Sequence, residues 1–523
     1  MALLTSFALN RRLAWAATCL TLSTGCAATP KEFESTERFE EIGANFVHQW
    51  NEAAHPFLGA AVIDVNGDGA LEVFVSGSEG QDDALFSYRE GKLQDVIAGT
   101  GLSSDVAGYG PVSIDIDGDN DTDLIVARND GVHLYTNARG QFTSRKLNIE
   151  LPAQSVPLSV AVSDIDRDGD ADLYISAFVD PENFRSAVYN DPAHAKTNVL
   201  LLNNGDSTFT DITETSNTAG MQNTFLSVFT DLDNDGWQDL VVSQNTGEVE
   251  IFRNNRDRTF TAIATNTGFG FWMGIAVGDI DHDGDQDLFF SNVGDSIPSF
   301  LTTGDLRDDQ PHNLDWRILR NEGDFNFSDA TLEYGIEDEG FAWGAVFEDL
   351  NADGQLDLLV AQNYIKWPIH KLFKLTGRTY LGSRGSGKLH HVEALGLENP
   401  YFGQSPVIAD LDSDGRPDVL WVNMDGPVRA FLNRSSNNYL RVAVPEQVEL
   451  LGTRVRVETS DGPSYTREVM TSTGMLTDQT ADLVFGVRDG VSISKVVIEY
   501  PDGSSQQIDS PDINSTIILS KNQ

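Results

Sequence analysis

Seven short segments of this chain carry oxygen donors at one fixed spacing. They are DVNGDGALE from Asp64, DIDGDNDTD from Asp115, DIDRDGDAD from Asp164, DLDNDGWQD from Asp231, DIDHDGDQD from Asp279, DLNADGQLD from Asp349 and DLDSDGRPD from Asp410. Positions 1 and 5 are always Asp, position 3 is Asp or Asn, and position 9 is Asp or Glu. The candidate metal ligands are therefore Asp64, Asn66, Asp68 and Glu72; Asp115, Asp117, Asp119 and Asp123; Asp164, Asp166, Asp168 and Asp172; and Asp231, Asp233, Asp235 and Asp239. The last three loops add Asp279, Asp281, Asp283 and Asp287; Asp349, Asn351, Asp353 and Asp357; and Asp410, Asp412, Asp414 and Asp418.

Repulsion sets the chemistry. Two carboxylates about 4 Å apart repel by about 1 kcal/mol in water and about 4 kcal/mol at an effective dielectric of about 20. Three to five acids in nine residues therefore call for a cation, seven times over. No His or Cys stands at positions 1, 3, 5 or 9, and an all-oxygen set selects a hard ion over zinc or copper. A tight flexible loop, with a backbone carbonyl expected at position 7, suits Ca²⁺ better than the geometrically stricter Mg²⁺. Up to seven Ca²⁺ ions are expected, the weakest at Asp64 and Asp349, where position 3 is Asn. An EF-hand is excluded, because it needs Glu at position 12. Here that place holds Val75, Val126, Ile175, Val242, Phe290, Val360 or Trp421.

The elements that must hold these loops are strands. Each loop is followed by a short β-branched or aromatic run (VFV, LIV, LYI, LVV, LFF, LLV, VLW) and preceded by another apolar run, such as FLGAAVI before Asp64. Position 2 is always Val, Ile or Leu, which anchors the loop inward. Position 6 is Gly, or Asn120 in one copy, the residues that most readily accept a positive φ. First aspartates are 51, 49, 67, 48, 70 and 61 residues apart, and a four-stranded blade takes about 40–50. The expected fold is all-β: a seven-bladed β-propeller over 40–434 and a small C-terminal β domain over 437–523.

Composition and charge narrow the classes of partner. The formal net charge is −45, from 80 acidic and 35 basic residues, which leaves no basic surplus for nucleic acid or an anionic membrane surface. At 40% hydrophobic residues, a packed core is affordable. Residues 1–26 read as a signal peptide: Arg11-Arg12, an apolar stretch from Leu13, then a lipobox-like Ser-Thr-Gly before Cys26. Lipidation of Cys26 would anchor the chain to a membrane, with 27–39 as a linker; simple cleavage near Ala27 is the alternative. Either way the mature chain is expected outside the cytoplasm, at the outer membrane, cell surface or periplasm, or secreted.

The loops and strands together resemble the FG-GAP/VCBS repeats of integrin α-subunit propellers, and LLLNNGDSTFTDIT (200–213) resembles a phrase of cartilage-acidic-protein-like chains. From Asn437, the stretches NNYLRVAV, GTRVRVETSDG, TREVMTSTGMLTDQ and IEYPDG resemble an ASPIC/UnbV domain, with Met475 and Asp478 as departures from its usual pattern. The resemblance implies calcium ligation at the matching loop positions and a propeller closed by a C-terminal domain. It implies no defined catalysis.

Long intervals place insertions at 180–197, 294–316 and 365–391. They carry Phe184, Tyr189, Phe300, Trp316 and Trp367, and a basic group of Lys366, Lys371, Lys374, Arg378, Arg384 and Lys388. Such loops are expected to bind a protein or glycan ligand. His370, His390 and His391 read as surface residues, His282 as solvent-facing, and Trp272 and Trp343 as blade packing. No nucleophile elbow, zinc-protease helix or phosphate loop is present. Recognition is thus the leading function, with an enzyme acting on polysaccharide or a secondary metabolite as the alternative and a scaffold for partner assembly as a third.

Overall fold

The computed structural model describes residues 38–220, 222–337, 339–362, 375–384, 387–393 and 395–521. The signal segment, Cys26, nearly all of the linker, Lys366, Trp367, His370, Lys371 and Lys374 lie outside them.

Among the described residues, seven blades of four antiparallel strands follow one another, two of them extended by a fifth short strand, each with an acidic loop between its first two strands. Their first strands are Ala60–Ile63, Gly108–Ile114, Ser155–Ser163, Asn223–Thr230, Ile275–Gly278, Ala342–Glu348 and Gly403–Ala409. Each touches the first strand of the next sheet, and the seventh touches that of the first. The result is a closed seven-bladed β-propeller. Blade 7 takes its outermost strand from the other end of the chain, because Phe39–Ile42 pairs antiparallel with Arg429–Asn433. Phe39, placed in the linker from sequence, is thus the first residue of the closing strand.

Neighbouring blades pack face to face through apolar side chains. Phe74, Leu85 and Tyr135 join blades 1 and 2; Tyr174, Phe229 and Phe252 join blades 3 and 4; Phe289, Trp316 and Tyr380 join blades 5 and 6. Near the axis the backbones crowd. A Cβ on Gly59 would stand 1.4 Å from the Tyr109 carbonyl oxygen, so only glycine allows that approach.

The C-terminal domain contains two sheets. One orders Leu483–Val487, Asn438–Ala443 and Ser515–Ile518; the other orders Ser464–Glu468, Arg454–Thr459, Ile493–Glu499 and Ser505–Asp509. Between them, residues 470–480 enter the propeller axis. Thr477–Asp478 pairs parallel with Ala60–Ala61 of blade 1. Asp478 accepts Ser113 N–H of blade 2 at 2.8 Å, and Ser472 Oγ donates to the Val160 carbonyl of blade 3 at 2.8 Å. Gly474 bonds Ile275 of blade 5, and Met475 N–H donates to Ser405 Oγ of blade 7 at 3.2 Å. Beside this segment, Glu468 accepts Thr230 Oγ–H of blade 4 and Arg467 pairs with Glu348 of blade 6. Met475 and Leu476 are fully buried there. The segment that departs from the usual family pattern is the plug of the channel.

Candidate metal centres

Each acidic loop wraps its own backbone around the first aspartate. In blade 3, Asp164 accepts the N–H groups of Asp168 and Gly169, both at 3.0 Å; in blade 7, Asp410 accepts those of Asp414 and Gly415, both at 2.9 Å. This winding requires a positive φ at position 6, from 69° at Asn120 to 99° at Gly284. It requires one at position 4 as well, where Gly67, Gly118, Arg167, Asn234, His282, Ala352 and Ser413 all take φ between 54° and 75°. Sequence inspection missed position 4, because five of its seven occupants are not glycine. For such residues the left-handed conformation costs about 1–2 kcal/mol.

Position 9 begins the second strand of each blade and faces back under the loop. One oxygen takes the N–H of position 2, as from Ile165 to Asp172 at 3.0 Å. The other takes an N–H at the end of the third strand, as from Asn203 at 2.8 Å. The carboxylate therefore ties loop, second strand and third strand together.

Positions 1, 3 and 9 converge in five loops. Asp115, Asp117 and Asp123; Asp164, Asp166 and Asp172; Asp231, Asp233 and Asp239; Asp279, Asp281 and Asp287; and Asp410, Asp412 and Asp418 each bring one oxygen per residue within 4.8 Å of one another. The loops at Asp64 and Asp349 form no such triad of acids among the described residues, since Asn66 and Asn351 hold position 3. The position 5 aspartates lie outside the triads; one oxygen of each accepts the N–H of position 7, as from Trp237 to Asp235 at 2.8 Å.

Burial favours the protonated form of these carboxylates. Burial, reinforced by neighbouring aspartates, pushes Asp123 up to about 7, Asp172 and Asp287 to about 8 and Asp239 to about 9, despite the backbone N–H groups that oppose the shift. Asp164, Asp231 and Asp410 rise to about 6 and Asp279 to about 7, again chiefly through burial. Burial also raises Asp349 and Asp357.

The residues fit a hard divalent ion. Asp166 Oδ1, Asp233 Oδ1, Asp279 Oδ1 and Asp412 Oδ1 are buried with no hydrogen-bond partner. In three of these loops the other oxygen of position 3 meets an arginine: Arg258 at 2.6 Å from Asp166, Arg253 at 2.8 Å from Asp233 and Arg434 at 2.7 Å from Asp412. A dication would supply the missing partner and offset the repulsion; the arginines hold position 3 from behind. Sequence inspection did not single out these arginines, because they come from third strands and their turns rather than from the loops. It also missed a set of asparagines. Asn137, Asn254, Asn321 and Asn433 donate side-chain N–H to the position 2 carbonyls of the preceding blade, at 2.9, 3.1, 2.8 and 2.9 Å. The only hint was the repeated Asn after an apolar third strand.

Other candidates divide. Trp272 and Trp316 are buried, each donating indole N–H to a backbone carbonyl, so Trp316 is core rather than a ligand platform. Trp343 packs against Phe57, Phe225 and Phe341. Tyr189 is buried where two insertions meet, donating to the Thr302 carbonyl at 2.8 Å, whereas Phe184 is 42% and Phe300 78% exposed. Arg378 is paired with Glu339 and Arg384 with Asp461, so the basic group is not a free anion site at those two residues. His282, expected to face solvent, is half-buried edge-on to Tyr465 of the C-terminal domain, ring centres 5.0 Å apart. His391 lies beside Tyr380.

Residues 64–126, 115–175 and 231–290 match the FG-GAP-like repeat, and residues 445–523 match ASPIC and UnbV. The chain is 24% identical to cartilage acidic protein 1 of Xenopus tropicalis over 379 residues, 65% of this chain and 51% of the relative. It is 23% identical to the Homo sapiens protein of the same name over 332 residues, 58% and 47% of the two chains. The chain thus spans about half the length of these curated relatives. Among solved structures, BBS1N from its complex with ARL6DN is similar with a TM-score of 0.44 and 11% identity, covering 74% of this chain and 93% of that one. The FG-GAP-like repeat matches thus fall on blades 1 to 5 of the β-propeller, and the ASPIC and UnbV match falls on the domain that plugs its channel.

Proposed function

We propose that this protein is an exported, calcium-binding recognition protein whose ions are structural. The observation that carries the reading is the recurrence of acidic triads, each with a buried position 9 aspartate, four of whose loops hold a carboxylate oxygen with no hydrogen-bond partner. Calcium at these sites fixes the blades; it takes no part in chemistry.

The binding surface follows from topology. The acidic loops join first to second strands, and the C-terminal domain covers that end of the propeller. The insertions at 180–198 and 291–316 join second to third strands, at the opposite end of their blades. They dock on one another, with Asp305 accepting the N–H of Tyr189 at 2.6 Å and of Asn190 at 3.1 Å. Phe184, Phe300 and Leu301 stay exposed on this paired platform. A glycan or protein ligand is the occupant we assign to it. Among the described residues no helix is long and apolar enough to cross a membrane, and attachment through Cys26 is the membrane link we propose.

Elemental analysis of the purified chain, followed by glycan-array binding with and without calcium, tests the reading. Bound calcium and calcium-dependent retention of a glycan are expected. A metal-free chain with an unchanged melt in EDTA overturns it.

A further inference from the structure

We infer that the acidic loops and the C-terminal plug form a latch, in which divalent-ion occupancy of the loops controls docking of the plug in the propeller channel. The inference rests on the calcium reading above and goes beyond structural support of single blades.

The geometry is specific. The C-terminal domain touches the first-position aspartate of four loops. Asp115 N–H donates to the Glu446 carbonyl at 2.8 Å, and Asp231 N–H to the Glu468 carboxylate at 3.2 Å. Asp349 Oδ2 accepts Gly486 N–H at 3.0 Å, and Asp410 Oδ2 lies 3.1 Å from Arg441 Nη1. In the blade 5 loop, Arg454 donates to the Gly284 carbonyl and Tyr465 packs on His282. The domain thus sits on the same residues that would fix a cation, on their carboxylates at Asp349 and Asp410 and on their backbone at Asp115 and Asp231.

Two of the four first-position contacts, at Asp115 and Asp231, use the loop's own backbone N–H, so they depend on loop shape more than on net charge. An ion would offset the repulsion among the crowded carboxylates and so favour the winding that aims those groups; its removal weakens that winding. Docking then loses several hydrogen bonds together. Blade 7 is the exception, since Arg441 and an ion compete for Asp410. Coupling of this kind is reciprocal: if ions favour the docked plug, the docked plug tightens the ions by the same factor.

Hydrogen exchange on the full chain tests the latch, with calcium and after EGTA. Amides of 470–480 should lose protection when the loops lose theirs, while the outer strands of the blades keep it. Calorimetric calcium titration of Gly486→Val gives the reciprocal measurement. Its Cβ would stand 2.2 Å from Asp349 Oδ2 and 2.4 Å from Ala352 backbone, breaking the seat without removing a carboxylate. Calcium binding weakened about fivefold or more at more than one site is expected, since displacement of Asp349 alone affects only its own loop, and that factor lies within the usual range of coupling. If calcium binds but 470–480 stays protected after EGTA, or Gly486→Val binds like the parent, the latch fails and the calcium reading stands. If the parent chain binds no calcium, both fail.

Discussion

Asp478 and Ser113 are 365 residues apart in sequence, yet one Asp478 oxygen accepts both the backbone N–H of Ser113, at 2.8 Å, and its hydroxyl, at 3.0 Å. The other oxygen accepts Ser472 N–H at 2.8 Å, which closes the plug on itself. Asp478 is 1% exposed, so a carboxylate from the last domain is sealed within the ring made by the first. Propeller and C-terminal domain share one interior.

Chelation should destabilise the whole protein. An ion at a hundredfold excess over its Kd stabilises the folded state by about 2.7 kcal/mol per site. With five acidic triads, EDTA is expected to lower the calorimetric melting temperature by about 15 °C or more, and added calcium should restore it.

The metal-free protein should weaken as pH rises. Asp172 and Asp287 titrate at about 8 and Asp239 at about 9 in the folded chain, against an ordinary 3.8 when unfolded. Between those limits the folded state holds more protons, so its stability is greatest below about pH 4 with respect to these groups and falls toward pH 9. Urea midpoints in EDTA should therefore be lower at pH 8.5 than at pH 5.5. Saturating calcium, which replaces the protons, should remove that decline.

Loop chemistry should set the order of filling. The triads of blades 2 to 5 and 7 are expected to take calcium before the loops at Asp64 and Asp349. Asn66→Asp adds the missing carboxylate to the first loop. Chelator competition should show at least one site tightened by this substitution and the rest unchanged.

Asn433→Ala should cost about 1–3 kcal/mol, the penalty for leaving a buried carbonyl unpaired. Asn433 is 1% exposed and donates to Leu350 of the preceding blade at 2.9 Å and to Pro417 at 3.2 Å. Equilibrium denaturation in calcium measures the loss. A change under 0.5 kcal/mol would show that the asparagine bridges do not join the blades.

Ser413→Gly should stabilise by about 1 kcal/mol. Ser413 is an exposed position 4 residue with φ at 59°, and glycine relieves that strain while giving back part of the gain in chain entropy. The same denaturation assay reads the shift.

Much of this protein was legible in its residues. The nine-residue spacing, the apolar runs on either side and the intervals between loops specify blades and ligand types, because both depend on short-range geometry that repeats. The same regularity shows Asn66 and Asn351 as the odd members. Only the tertiary structure decided the rest. Phe39–Ile42 closes blade 7 because ring closure pairs the two ends of the propeller, and no local pattern records that partner. Asn433 reads as an ordinary polar residue until the preceding blade brings the Leu350 carbonyl to it. Residues 470–480 lie in a small domain by sequence and in the propeller channel by structure, since the apolar Met475 and Leu476 are buried only where seven first strands converge.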